Sequence, residues 1–183
     1  MPISTREFSK AILEAYRLLE VNKVTEPHVP IKEIAKKLLI EVIPYFVGDN
    51  VSGILISKGD NATIGYNPND PDVRQRFTIA HELGHYILHR KEKITSEQLF
   101  VDRDFIVKYR STSKYTDSEL LQEQQANAFA AAILMPERLI RKELRKKDYE
   151  TLNEAQVIGK LADVFKVSEI AMTYKMTNLN IEF

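Results

Sequence analysis

Residues 81–85 run His81-Glu82-Leu83-Gly84-His85, an H-E-x-x-H pattern. On an α-helix, residues four apart are separated by about 6 Å of rise and roughly 40° of rotation. Two imidazoles so placed both reach one cation at about 2.0–2.1 Å. Glu82 is turned roughly 100° from His81. That is too far round to join the same shell, but it suits a group that takes a proton from a metal-bound water. Two nitrogen ligands with a general base beside them make the spacing of a zinc hydrolase. The competing reading is a chance match on an exposed helix, so the flanking residues must be weighed.

They support a helix. Asp70 can cap it, and Pro71 can take the first helical position, where a missing N–H does no harm. No further proline occurs up to His89. Phe77, Ala80, Leu83, Gly84 and Ile87 recur at three- and four-residue spacing, which predicts one buried apolar stripe. Arg74, Arg76 and Arg90 supply the polar remainder.

A catalytic zinc site takes three protein ligands and leaves one position open. His89 continues the four-residue series but lies about 12 Å along the axis from His81, so one ion cannot bind all three on an unbroken helix. The metzincin solution needs glycine three residues after the second histidine and a ligand three beyond that. Leu88 and Lys91 stand there, which excludes it, and His89 is expected to be a polar helix-end residue. A better third ligand lies downstream. Thr116 and Glu119 form a capping box for a helix that Pro136 stops. The face Leu120, Glu123, Asn127, Ala130 or Ala131, Leu134 is apolar except at Glu123 and Asn127. A carboxylate on a buried stripe needs a partner, and a metal is one. Asn127 can then fix the tautomer of a ligand histidine, and the neighbouring alanines allow close helix approach. Two alternatives stay open: Glu123 at the stripe's edge pointing to water, and Glu119 as ligand, although its cap already explains Glu119.

Arg76–His89 (R-F-T-I-A-H-E-L-G-H-Y-I-L-H) followed by Glu123–Pro136 (E-x-x-A-N-x-F-A-A-x-I-L-M-P) resembles the ImmA/IrrE family of metallopeptidases. Pro30–Leu39 looks like the short helix, and Ile40–Val47 the strand, that precede the active-site region in that family. The resemblance covers roughly residues 25–180. It implies that His81, His85 and Glu123 bind one zinc ion and that Glu82 is the base. Many members carry a second acidic residue two places before the asparagine. Here Gln125 stands there, which favours Glu123 as ligand and leaves Gln125 without a role. Zinc would lower the pKa of its bound water to about 7 and polarise a peptide carbonyl, and Glu82 would return the proton to the leaving amine. Tyr66, Tyr86 and Tyr115 are candidates for a second oxyanion donor, each more readily read as a packing aromatic. The resemblance also implies a regulatory peptidase acting on a cognate helix-turn-helix repressor, often from a mobile element or prophage.

The expected architecture is α+β and zincin-like: a small antiparallel or mixed sheet of about three strands, with a helical bundle carrying the H-E-x-x-H helix and the third-ligand helix. Residues 1–153 are expected to form the peptidase domain and 154–183 a helical, helix-turn-helix-like appendage. Ser4 and Glu7 form a capping box before an amphipathic helix through Phe8, Ile12, Ala15 and Leu19. Val51–Ser57 and Ala62–Asn67 predict a hairpin; if one strand is an edge, it could pair with an extended substrate. Asn67–Asp72 is expected to be a turn and Lys91–Tyr115 an irregular segment flanking the cleft.

Bulk properties fit this reading. The 183 residues carry 44% hydrophobic and 28% charged side chains, enough for a core and a polar surface. There is no cysteine, hence no disulfide framework or thiolate site. Met1–Lys10 has no apolar signal core, and the longest apolar run, Ala128–Met135, is too short to span a bilayer. A cytoplasmic location is expected. Lys and Arg balance Asp and Glu at 26 each, so no global charge argues for nucleic acid. The basic run Arg138–Lys147 and the C-terminal helices of 154–183 are the two places where DNA could bind. The alternative function is a DNA-binding or repressor-binding regulator with a structural or non-catalytic zinc site, but it leaves Glu82 beside His81 unexplained.

Overall fold

A computed structural model describes residues 5–46, 51–58, 61–89, 98–103 and 116–181. Ser4, Arg90, Lys91 and Tyr115 lie outside them. Helix α1 (Thr5–Val21) sets Ala11, Ala15 and Leu19 into the core at four-residue spacing. Phe8 is exposed, so the buried face is rotated away from the one expected to include it. Helix α2 (Ile31–Lys37) buries Ile31, Ile34 and Ala35. Leu39, at φ 61°, then turns the chain into strand β1 (Ile40–Pro44).

Strands β2 (Val51–Lys58) and β3 (Asn61–Tyr66) form the expected antiparallel hairpin. The sheet has four strands in the order β1-β3-β2-β4, with β1 parallel to β3 and β4 (Gln98–Arg103) antiparallel to β2. Strand β4 falls in the segment read from sequence as irregular, where apolar alternation is too short to signal a strand. Its pairing corrects a second expectation. Both hairpin strands have neighbours on both sides, so neither offers a free edge to a substrate, and the edges are β1 and β4.

Helix α3 (Asp72–His89) follows the turn at Asn67, whose side chain accepts from the Asn69 amide at 2.9 Å. The helix starts two residues after Asp70. Asp70 pairs with Arg74 at 3.4 Å, and the Pro71 carbonyl takes the first helical hydrogen bonds. Residues 78–85 are all buried rather than one stripe, because α3 packs against β2 and β3 on one side and against α1, α2 and α4 elsewhere. Helix α4 (Asp117–Leu134) starts on the expected capping box of Thr116 and Glu119. Next come α5 (Glu137–Leu144), a 3-10 turn (Lys147–Tyr149), α6 (Glu154–Phe165) and α7 (Glu169–Asn178). Leu161, Phe165, Met172 and Met176 of the last two helices join the same hydrophobic cluster as Ile79, Leu83 and Ile133. Arg76 ties the ends together: its guanidinium donates to the carbonyls of Val29 at 3.0 Å and Lys166 at 3.2 Å.

The crossing of α3 and α4 is the closest helix approach that bears on the site. A Cβ at Gly84 would lie 3.1 Å from Phe129 Cδ1 and 3.2 Å from the Ala126 backbone. Phe129 and Ala126 are fully buried and have little room to yield. Gly84→Val is therefore expected to destabilise the fold by about 1–3 kcal/mol through overpacking. Thermal unfolding checks this, and metal retention should fall with it because the two helices are wedged apart.

Candidate metal centre

Helical spacing puts His81 and His85 one turn apart on α3 with Nε2 atoms 3.0 Å from each other. Helix α4 carries Glu123 across the Gly84 crossing to meet both. One carboxylate oxygen is 3.4 Å from His81 Nε2 and the other 3.5 Å from His85 Nε2. Both histidines are buried, and the Glu123 side chain is 22% exposed, turned into the pair rather than out to water. Donors at metal–ligand distances of 2.0–2.2 Å around a tetrahedral ion stand about 3.3 Å apart. The two Glu123–imidazole separations fit that set, the imidazole pair stands slightly closer, and the three residues form a group able to hold a metal ion. Two imidazoles and a carboxylate are a donor set suited to zinc with a position left open.

The surroundings hold the donors in the required protonation states. Asn127, one turn beyond Glu123, has its Oδ1 3.0 Å from His81 Nδ1. In the tautomer in which Nδ1–H donates to that oxygen, the Nε2 lone pair faces His85 and Glu123. Burial pushes the Glu123 carboxyl up, but hydrogen bonds and charge from His81 and His85 outweigh this and hold it far below the usual carboxylate range. Burial pushes His85 down to about 4 against the pull of Glu123. His85 is thus neutral, and Glu123 ionised, at neutral pH.

Glu82 is fully buried on the face of α3 turned toward β2, where its carboxylate lies close to Gly53. His89 departs from expectation. It is 5% exposed, not a polar helix-end residue, because the last turn of α3 runs beneath α4. Its ring centroid is 5.6 Å from that of His85, and its pKa is lowered to about 4 by burial, against a backbone hydrogen bond to Gln122. It does not enter the donor group, as the helix geometry required. Tyr66 is engaged elsewhere: Lys32 donates to its hydroxyl at 3.1 Å and lies over its ring. Tyr86 is half-buried against the core. Part of the basic run is engaged in place: Arg138 donates to the Val24 carbonyl, Arg141 pairs with Glu137, Lys142 with Glu26 and Lys146 with Glu143. Sequence reasoning missed Arg76, Gly53 and the burial of His89. None of these had a local signal, since Arg76 is one of several polar residues at the start of α3.

Two outcomes are expected. His85 and His89 have folded pKa values near 4 against an ordinary 6.5, so the unfolded chain binds more protons between these values. The metal-free protein should lose stability as pH falls below about 6.5 and regain it as pH rises, with His85 alone contributing about 1.4 kcal/mol per unit. The depressed Glu123 carboxyl adds to the loss only below its ordinary 4.5. Denaturant midpoints measured from about pH 7 to pH 5 check the sign. Separately, Asn127→Ala should weaken zinc binding about 10- to 100-fold without unfolding the protein, as measured by chelator competition.

Comparison with known proteins bears on this site. A search of curated proteins returns no significant match. Among solved structures, a Mycobacterium tuberculosis transcriptional regulator superposes with a TM-score of 0.58 at 13% identity, over 92% of this chain. The match takes in 46% of that regulator, so this chain spans about half its length, and the likeness at this identity is one of fold. The family model described as Peptidase M78, IrrE N-terminal-like domain, matches residues 35–177. That span takes in the end of α2, the sheet, both site helices and nearly all of the C-terminal pair, and the chain therefore belongs to the IrrE N-terminal-like family of M78 peptidases.

Proposed function

We propose that this chain is a zinc-dependent metallo-endopeptidase that cuts a cognate helix-turn-helix repressor, working in the cytoplasm. The observation that carries the proposal is the convergence of His81, His85 and Glu123 from two helices, with the buried carboxylate of Glu82 adjoining His81. A divalent ion on this donor set supplies Lewis acidity for hydrolysis. The chain's own residues do the rest. Asn127 keeps the His81 ring in the tautomer and orientation that aims Nε2 inward. Glu123 holds a full negative charge beside the neutral imidazole of His85. Glu82 takes the proton from the attacking water and delivers it to the leaving amine.

The internal pairing of Arg138, Arg141, Lys142 and Lys146 supports a protein substrate over a nucleic acid. On this reading residues 1–153 carry the catalysis. Residues 154–183 serve as a helical appendage packed on the same core. A second reading, a regulator that captures its repressor without cutting it, is favoured by the likeness in fold to a transcriptional regulator.

The experiment uses zinc-loaded protein and, as substrate, the product of any helix-turn-helix repressor gene found next to its own. Glu82→Gln should keep one zinc per chain and lose about 10²- to 10⁴-fold in cleavage rate, read by gel and mass spectrometry. Glu123→Gln should lose both zinc and cleavage. A Glu82→Gln variant that cuts as fast as the native protein rejects the peptidase reading. A stable, uncut complex with the zinc-loaded native protein establishes the second one.

A further inference from the structure

Strand β2 carries an irregularity where it passes over α3. In its ladder with β4, Val51 pairs with Arg103 but Gly53 pairs with Asp102, so Ser52 is an extra residue. Adjacent residues of a regular strand point to opposite faces of a sheet. Here Ser52 and Gly53 both meet α3. Arg74 donates to Ser52 Oγ from Nη2 at 2.7 Å and from Nε at 3.1 Å. A Cβ built on Gly53 would lie 2.2 Å from Thr78 Cγ2, 3.2 Å from Glu82 Oε1 and 3.5 Å from Glu82 Cγ. Arg74, Thr78 and Glu82 are spaced at four residues and form one stripe of the helix. The bulge thus lays two consecutive strand residues along the stripe that ends at Glu82, re-aiming the strand as bulges do.

We propose that the Ser52–Gly53 bulge is the positioning device for the Glu82 carboxylate, and that Gly53 is a positioning residue whose missing side chain lets the strand backbone approach Thr78 and that carboxylate. This deepens the metallopeptidase reading and rests on it. Ser52, held by Arg74, fixes where the bulge sits on the helix. Gly53 then brings strand backbone against Glu82, which is completely buried. Thr78 stands between the two anchor points with a β-branched side chain that is stiff in a helix, so it cannot readily make way for a methyl group at position 53.

The overlap with Thr78 and the pressure on Glu82 can be separated. Gly53→Ala alone meets both. In Gly53→Ala with Thr78→Ser, the atom that the new methyl would overlap is gone, and the approach to Glu82 Oε1 remains. The four proteins to compare are native, Thr78→Ser, the double variant and Glu82→Gln, each loaded with zinc or with cobalt(II). The double variant should match Thr78→Ser in thermal unfolding and bind one metal ion per chain. Its kcat on the repressor should be about 10- to 100-fold lower, the range expected for a misplaced catalytic group, with KM within about twofold. The visible spectrum of its cobalt form should move from that of Thr78→Ser toward that of Glu82→Gln. If the double variant's cobalt spectrum and kcat coincide with those of Thr78→Ser, the positioning role is overturned and the peptidase reading stands. If native protein takes up no cobalt, the metal site fails and this proposal with it. If native protein binds cobalt but cuts nothing, the spectra alone decide.

Discussion

Two helices cross at a glycine, and the site exists because of that contact. At Gly84 the side of α3 carries no side chain, so the backbone of α4 at Ala126 and the edge of the Phe129 ring come within van der Waals reach. Glu123 lies about one turn before that contact on α4, and His81 and His85 flank it on α3. The separation of the helix axes therefore sets the distance between carboxylate and imidazoles. A larger residue at the crossing would open the gap by more than a metal–ligand bond tolerates. Buried alanines at 126 and 130 on one side and at 128 and 132 on the other keep α4 slim.

Burial gives the cluster its electrostatic character. Taking a carboxylate and two imidazoles out of water is unfavourable unless each finds a partner. Glu123 finds it in two nitrogens, and the imidazoles find it in Glu123 and Asn127. The balance holds Glu123 ionised and His85 neutral, which are the forms that bind a divalent cation without first shedding protons. The surface behaves differently. The basic run on α5 and beyond is answered by glutamates and backbone carbonyls a few ångströms away. Part of the charge concentrated in the linear chain is thereby paired in the fold.

The sheet and the terminal helices act on the same helix from other sides. Strands β2 and β3 cover the face of α3 that carries Thr78 and Glu82, and Arg74 pins the strand to the helix at Ser52. Arg76 fastens the opposite flank to the Val29 carbonyl and to Lys166, the left-handed residue that ends α6. Helix α3 is thus gripped along most of its circumference. That explains why its buried residues do not follow a single stripe and why His89 ends up under cover.

The linear chain was sufficient for everything that depends on local spacing. The i, i+4 histidines with an adjoining glutamate, the Thr116 capping box, the hairpin, and the Glu123–Asn127 pair on an otherwise apolar face all follow from helical or strand periodicity. Periodicity acts between near neighbours. Long-range packing decided the rest. Strand β4 acquires its identity from pairing with β2, which moved the sheet edges away from the hairpin. His89 is buried by a helix nearly thirty residues downstream. Gly53 carries no local signature, because its significance is the close approach of Thr78 and Glu82 from another element. Burial and cross-element approach are properties of the assembled fold, and a repeat along the chain cannot encode which surface will come to lie against it.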